Sequence, residues 1–236
     1  MTEVRIATYN IHRGRGMDRR VVPARIVDVL RDIDADVVAL QEVIGAGPAA
    51  AGQAEEIGAG LAMGWVMNCV RTLRQHQYGN VVLSRYPIVH HSHCDLSWRT
   101  CEPRHCQRAD LDIGGHVLHV YNVHLGTAVL ERRYQAKRLA SFVHDRRVAG
   151  PKILLGDFNE WMKGLATKTL SSLFESVDIS QYLKRRRTYP GIFPVVHLDH
   201  IYFDGAVEVT SVEMPRTRKA LIASDHLPLV ANLRIG

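Results

Sequence analysis

Cysteine is scarce in this 236-residue chain, and long apolar runs are missing altogether. The four cysteines, Cys69, Cys94, Cys101 and Cys106, read as reduced thiols, because a chain this long and apolar needs no disulfide framework. Cys101, His105 and Cys106 match no common zinc spacing. Neither His-Glu-x-x-His nor Cys-x-x-Cys occurs, so 13 histidines do not make a zinc hydrolase. No segment approaches the roughly 18 consecutive apolar residues of a membrane-spanning helix. Met1-Thr2-Glu3-Val4-Arg5-Ile6 enters a strand-like pattern without the basic and then apolar stretch of a secretory leader, and the expected compartment is the cytoplasm. The patterns G-x-x-x-x-G-K-[ST] and G-x-G-x-x-G are absent too, which excludes the P-loop and dinucleotide-binding readings. Without internal repeats, low-complexity tracts or a linker, the expectation is one domain over 1–236, acting as a monomer.

What is present is an ordinary globular composition, 46% hydrophobic and 23% charged, with a net charge of +6. A basic balance suits a phosphate-bearing partner: a nucleic acid, a small phosphate ester or, peripherally, an anionic lipid surface. Lys184-Arg185-Arg186-Arg187 is the densest basic run, and a solvated loop explains it equally well. Short β-branched or apolar runs at 4–9, 37–40, 65–70, 79–83 and 153–155 read as strands. Gly114-Gly115 turns a hairpin between 109–113 and 117–123. Pro23 opens a helix with Ile26, Val27, Val29, Leu30 and Ile33 on its apolar face, and further helices are expected over 54–63, 130–148 and 165–174. The coarse reading is a mixed α/β fold with mostly antiparallel strand connections.

Polar side chains recur where those strands end: Asn10, Glu42, Asn122, His124, Asp157, Asn159, Asp199, Asp225 and His226. Any one of them is explained by a cap or a solvated loop, and Asp157-Phe158-Asn159 alone reads as an Asx-turn. Together they contain what hydrolysis of a phosphate ester requires. Glu42 is a hard oxygen ligand of the kind Mg²⁺ or Mn²⁺ prefers, and Asn10 offers a carbonyl oxygen beside it. Asp199 and His226 make a carboxylate–imidazole pair suited to acid/base work near neutral pH. His124 is a donor for a phosphoryl oxygen. The loop His12-Arg13-Gly14-Arg15-Gly16 mixes cations with glycine amides that suit a phosphate.

The segments Tyr9-Asn10-Ile11, Leu40-Gln41-Glu42, Asn122-Val123-His124-Leu125, Gly156-Asp157-Phe158-Asn159, Leu198-Asp199-His200-Ile201 and Ser224-Asp225-His226 resemble the ordered motifs of the endonuclease/exonuclease/phosphatase (DNase I-like) superfamily. Tyr9 to Gly14 and Glu102-Pro103-Arg104 look like its small bacterial members, whereas an aromatic residue commonly follows the position of Asp199 and here it is His200. The resemblance implies a four-layer α-β-β-α sandwich of two packed mixed sheets flanked by helices. It also implies a Mg²⁺- or Mn²⁺-dependent phosphodiesterase or nuclease that uses an activated water. Carried over by motif, Glu42 is the principal metal ligand, with Asn10 and Asp225 on the metal side. Asp157 activates the water, Asn159 and His124 contact the phosphate, and His226 is base or transition-state stabiliser, oriented by Asp199. Arg104, His12, Asn122 and Trp161 are candidate substrate contacts. Two alternatives stay open. One is a phosphomonoesterase acting on inositol phosphates or another small phosphorylated metabolite. The other is a catalytically retired binding module, which predicts loss of one of Glu42, Asp157, Asp199 or His226, and all four are present.

Overall fold

Successive side chains of a strand point to opposite faces, so a strand apolar on both faces must be covered twice. On β1 (Thr2–Asn10), Val4 and Ile6 enter one core while Ala7 and Tyr9 enter another, and all four are buried. A computed structural model, describing all residues except 49, 162–167, 170, 171, 173, 177–181, 185 and 192, shows what covers them. Two six-stranded sheets pack face to face with helices against their outer surfaces, the four-layer sandwich that the motifs imply.

The first sheet runs β11 (Val207–Glu213), β12 (Leu229–Ile235), β1, β2 (Val37–Ile44), β4 (His76–Ser84) and β3 (Gly64–Leu73). The second runs β5 (Ile88–Asp95), β6 (His105–Ile113), β7 (His116–His124), β8 (Lys152–Asp157), β10 (Asp199–Asp204) and β9 (Glu175–Ser176). Val4, Ile6, Val37, Ala39 and Val82 of the first sheet meet Ala109, Leu111, Val120, Ile153 and Leu155 of the second in the central core. Each valine, leucine or isoleucine among them contributes about 1.5–3 kcal/mol on burial. Helices α1 (Ala24–Ile33) and α2 (Gln53–Leu61) cover the outer face of the first sheet together with the short α4 (Arg218–Ala223). α3 (Val129–Val143) covers the second sheet over Tyr121, Val123 and Leu154. Among the described residues, no helix is long and apolar enough to cross a membrane.

Pairing is antiparallel except at two places, β1–β2 and β7–β8, each joined through a covering helix, α1 and α3. Those four strands end together at one edge of the sandwich and carry Asn10, Glu42, His124 and Asp157 there. β10 begins at the same level, with Asp199 opposite Asp157 in register. Two local devices tune this edge. A bulge in β2 between Leu40 and Val43 holds Glu42 at φ 57, which turns its side chain out of the strand's alternation. Gly156 sits at φ 147, and a Cβ there would lie 1.9 Å from the Val123 carbonyl oxygen, so only glycine lets β8 lie against β7 just before Asp157.

The helix expected over 130–148 stops at Val143 instead. Asp145 accepts the Arg147 backbone N–H at 3.0 Å and closes a turn, and Pro151 follows. The helix expected over 165–174 falls mostly on residues outside those described, as does Arg185 of the basic run.

Asn122 corrects a sequence expectation. It lies fully buried between the sheets rather than facing a substrate. Its Nδ2 donates to the Leu40 and Val81 carbonyls, each at 2.9 Å, and its Oδ1 accepts from Gln41 Nε2 at 2.8 Å. With every hydrogen-bonding atom engaged across the sandwich, Asn122 ties β7 to β2 and β4. Asn122→Ala takes a donor from two buried carbonyls and one acceptor from Gln41 Nε2, which keeps Thr8 Oγ1 and the Ala39 carbonyl, and should lower unfolding free energy by about 2 kcal/mol. Denaturant melts measure this, and a loss below about 1 kcal/mol would refute the cross-link.

Candidate active site

Asp157 ends β8 on the buried side of the cleft, and its carboxylate is the point on which the other groups converge. Oδ2 accepts from Asn10 Nδ2 at 3.0 Å and lies 3.5 Å from His124 Nε2 and 3.6 Å from His226 Nε2. Oδ1 accepts the Asn159 backbone N–H at 2.9 Å, the Asx-turn that the sequence suggests. Asn159 itself sits at φ 50, a conformation asparagine tolerates, which brings its Nδ2 to 2.9 Å from the Leu125 carbonyl and 3.1 Å from His124 Nε2.

His226 and Asp199 form a buried pair, Nδ1 to Oδ2 at 2.9 Å. Asp199 Oδ1 has no hydrogen-bond partner among the described residues. The His226 ring is held from above by the Tyr189 ring, centroids 5.0 Å apart, and its loop is pinned by Gly191 N to Asp225 O at 2.6 Å and Leu227 N to Thr188 O at 2.9 Å. His12 Nδ1 lies 3.4 Å from Asp225 Oδ2. Arg104 lies buried beside His124, its guanidinium 3.1 Å from Nδ1. Arg13 Nε approaches Glu42 Oε2 at 3.6 Å.

Titration follows from this burial. Removal from water pushes Asp157 up to about 6; His226 opposes the rise, and Asp199 adds to it. For His226, burial works downward, yet Asp199, Asp157 and Asp225 outweigh it and hold the imidazole up at about 10. Burial, then Arg104 and His226, holds His124 well below the ordinary imidazole range. Two histidines of one site are thus driven apart, one charged and one neutral.

The structure therefore brings together Asn10, Glu42, His124, Asp157, Asn159, Asp199, His226 and Arg104, with His12 and Asp225 alongside. Asn122 is withdrawn between the sheets, and Trp161 stands 66% exposed two residues beyond Asn159. Asn10, expected on the metal side, has both ends of its carboxamide engaged. Its Oδ1 accepts the His12 backbone N–H at 3.0 Å, and its amide nitrogen bridges Asp157 and, at 3.4 Å, Glu42 Oε1. Residues that sequence reasoning passed over include Tyr189, Thr188 and Ser224, whose hydroxyl holds the Asn10 carbonyl at 2.8 Å. Ser224 at least precedes Asp225-His226 in a quoted motif, but no local pattern marks Tyr189.

Residues 7–226 match the model of the Endonuclease/Exonuclease/phosphatase family. The chain belongs to this family. YbhP, an uncharacterized protein of Escherichia coli (strain K12), is 32% identical over 98% of this chain and 96% of its own. A crystal structure of an endonuclease/exonuclease/phosphatase from Bacteroides vulgatus superposes over 100% of both chains with a TM-score of 0.81 at 20% identity. A mannosyl-6-phosphatase of Bacteroides thetaiotaomicron matches over 98% of this chain and 100% of its own, with a TM-score of 0.74 at 18% identity. At those identities the two structures establish the fold. Endonuclease/exonuclease/phosphatase proteins are hydrolases of the nuclease and phosphatase type.

The pair at the centre has a thermodynamic signature. A histidine that binds its proton more tightly when folded stabilises the protein fully below its unfolded pKa of 6.5 and loses that contribution as pH rises through about 10. Asp199→Asn removes the strongest of the carboxylates raising His226. The variant should be less stable at pH 7, and its melting temperature should fall less between pH 7 and 10 than that of the parent. Parallel curves for the two proteins would show that Asp199 does not hold this proton.

Proposed function

We propose that this protein is a Mg²⁺- or Mn²⁺-dependent phosphodiesterase, with the phosphodiesters of nucleic acid as its favoured substrates and phospholipid-type diesters as the second class. The observation that supports this most is the convergence of Asn10, His124, Asn159 and His226 on the buried carboxylate of Asp157, with Glu42 joined to it through Asn10. A basic chain with the partly exposed Arg13 at the cleft fits a polyanion.

Among the described residues no three or more His, Cys, Asp or Glu side chains form a metal cage. The donors nonetheless suit a hard cation that takes one or two carboxylates and keeps its waters. Glu42 carries a carboxylate about one-fifth exposed to the cleft and only loosely engaged by Arg13, and Asp225 is one-quarter exposed. Glu42 would be the principal ligand, with Asp225 as the second candidate carboxylate. A divalent cation held there supplies positive charge to phosphoryl oxygens as they become more negative in the transition state.

The protein's own groups divide the remaining work. Asp157, raised toward neutrality, accepts the proton of the attacking water, while Asn10 keeps its carboxylate turned into the cleft. His226, held cationic by Asp199, presents Nε2 to an oxygen of the phosphoryl group. Asn159 and His124 line the side opposite and take a second oxygen.

Purified protein should hydrolyse bis-p-nitrophenyl phosphate with added Mn²⁺ or Mg²⁺ and lose activity to chelator. Glu42→Gln and His226→Ala should each reduce kcat by about 100-fold or more while melting as folded proteins. Full activity in either variant would sink the assignment. Activity confined to p-nitrophenyl phosphate would instead favour a phosphomonoesterase. A polynucleotide substrate should also be cut far less efficiently at 200 mM than at 50 mM salt, because several phosphate contacts release counterions.

A further inference from the structure

Arg104 is bonded on both sides. Its NH1 lies 3.1 Å from His124 Nδ1, and its NH2 donates to Glu102 Oε2 at 2.8 Å. The other oxygen of Glu102 accepts from Arg71 NH2 at 2.7 Å, and the Arg71 guanidinium lies 4.8 Å from the centre of the Tyr78 ring. The backbone at Arg104 is fixed too, by Leu96 N to Arg104 O at 2.7 Å and Arg104 N to Ser97 Oγ at 3.3 Å. A chain of charge-assisted bonds therefore runs from the half-exposed Arg71 to the buried imidazole.

We propose that Glu102 and Arg104 form a positioning device that holds His124 in one tautomer, bare at Nδ1 and carrying its hydrogen on Nε2, so that His124 serves hydrolysis as a fixed hydrogen-bond donor and not as a proton source. The alternative tautomer would point an N–H at a guanidinium that has only hydrogens to offer. Asn159 Nδ2 also faces Nε2, at 3.1 Å, and favours that alternative. Its contact is a neutral one, however, and a charge-assisted bond is roughly twice as strong. Turning the Asn159 amide over is opposed by its bond to the Leu125 carbonyl. With the hydrogen on Nε2, the N–H groups of His124 and Asn159 face each other and cannot bond to one another. A single acceptor placed between them satisfies both, and an oxygen of a tetrahedral phosphoryl group is such an acceptor.

The kinetic consequence rests on the phosphoesterase reading, whereas the tautomer is a property of the resting protein. Nitrogen-15 NMR of ring-labelled histidines, with the His124 signals assigned through His124→Gln, should show a neutral ring protonated at Nε2 at pH 7. Glu102→Ala frees Arg104 from its anchor, and Arg104→Lys leaves one donor head for two partners. Both should give a mixture of tautomers at His124. On bis-p-nitrophenyl phosphate, each should lower kcat about 10-fold with KM changed less than about 2-fold. A parent His124 that carries its hydrogen on Nδ1, or that is doubly protonated at pH 7, would overturn the proposal. So would a tautomer unchanged in both variants. The spectrum decides this even if no phosphoester is hydrolysed.

Discussion

Two carboxylates, Asp157 and Asp199, lie almost completely buried on neighbouring strands and in register with one another. Charges in that position are costly unless they share a counter-charge. His226 is that counter-charge, bonded to one and facing the other. Much of the surrounding geometry serves this arrangement. Tyr189 caps the imidazole, Thr188 and Gly191 pin its loop, and Ser224 connects that loop to the end of β1. The same electrostatics that keep the pair folded also give it its chemical character, a cationic imidazole beside a carboxyl titrating near neutrality.

A site built at the ends of two parallel strand pairs needs the two sheets to be held at a fixed offset. Apolar packing in the central core sets their separation but not their sliding position, because burial has no direction. Hydrogen bonds do. Asn122 and Gln41 supply them, and they reach into β2 where its bulge departs from regular pairing. That bulge turns Glu42 toward the cleft, so one local irregularity serves both sheet registration and placement of a carboxylate.

The second histidine of the site is governed by a different neighbour. Where His226 faces carboxylates, His124 faces an arginine, and the two rings are driven to opposite protonation states a few ångströms from the same Asp157 oxygen. Environment rather than residue type assigns their roles.

Amino-acid order alone determined much of this protein. Short β-branched and apolar runs and the proline-started helix are local signals, and β1, β2, β7, β8 and α1 lie where they predict. The motif residues stand where those apolar runs stop. Tertiary structure decided the rest. The sequence made Asn122 and Asn159 equivalent candidates, yet one became a cross-link and the other a cleft donor. The orientation of the Asn10 carboxamide was set by the His12 N–H on one side and Asp157 on the other. Tyr189 had no local mark, and Glu102 stood in a quoted motif without a role. Most of these outcomes depend on partners far away in the chain, brought close by sheet packing and by a bulge. Hydrogen bonds are directional and short, so which atoms meet is settled only when the sheets are in place.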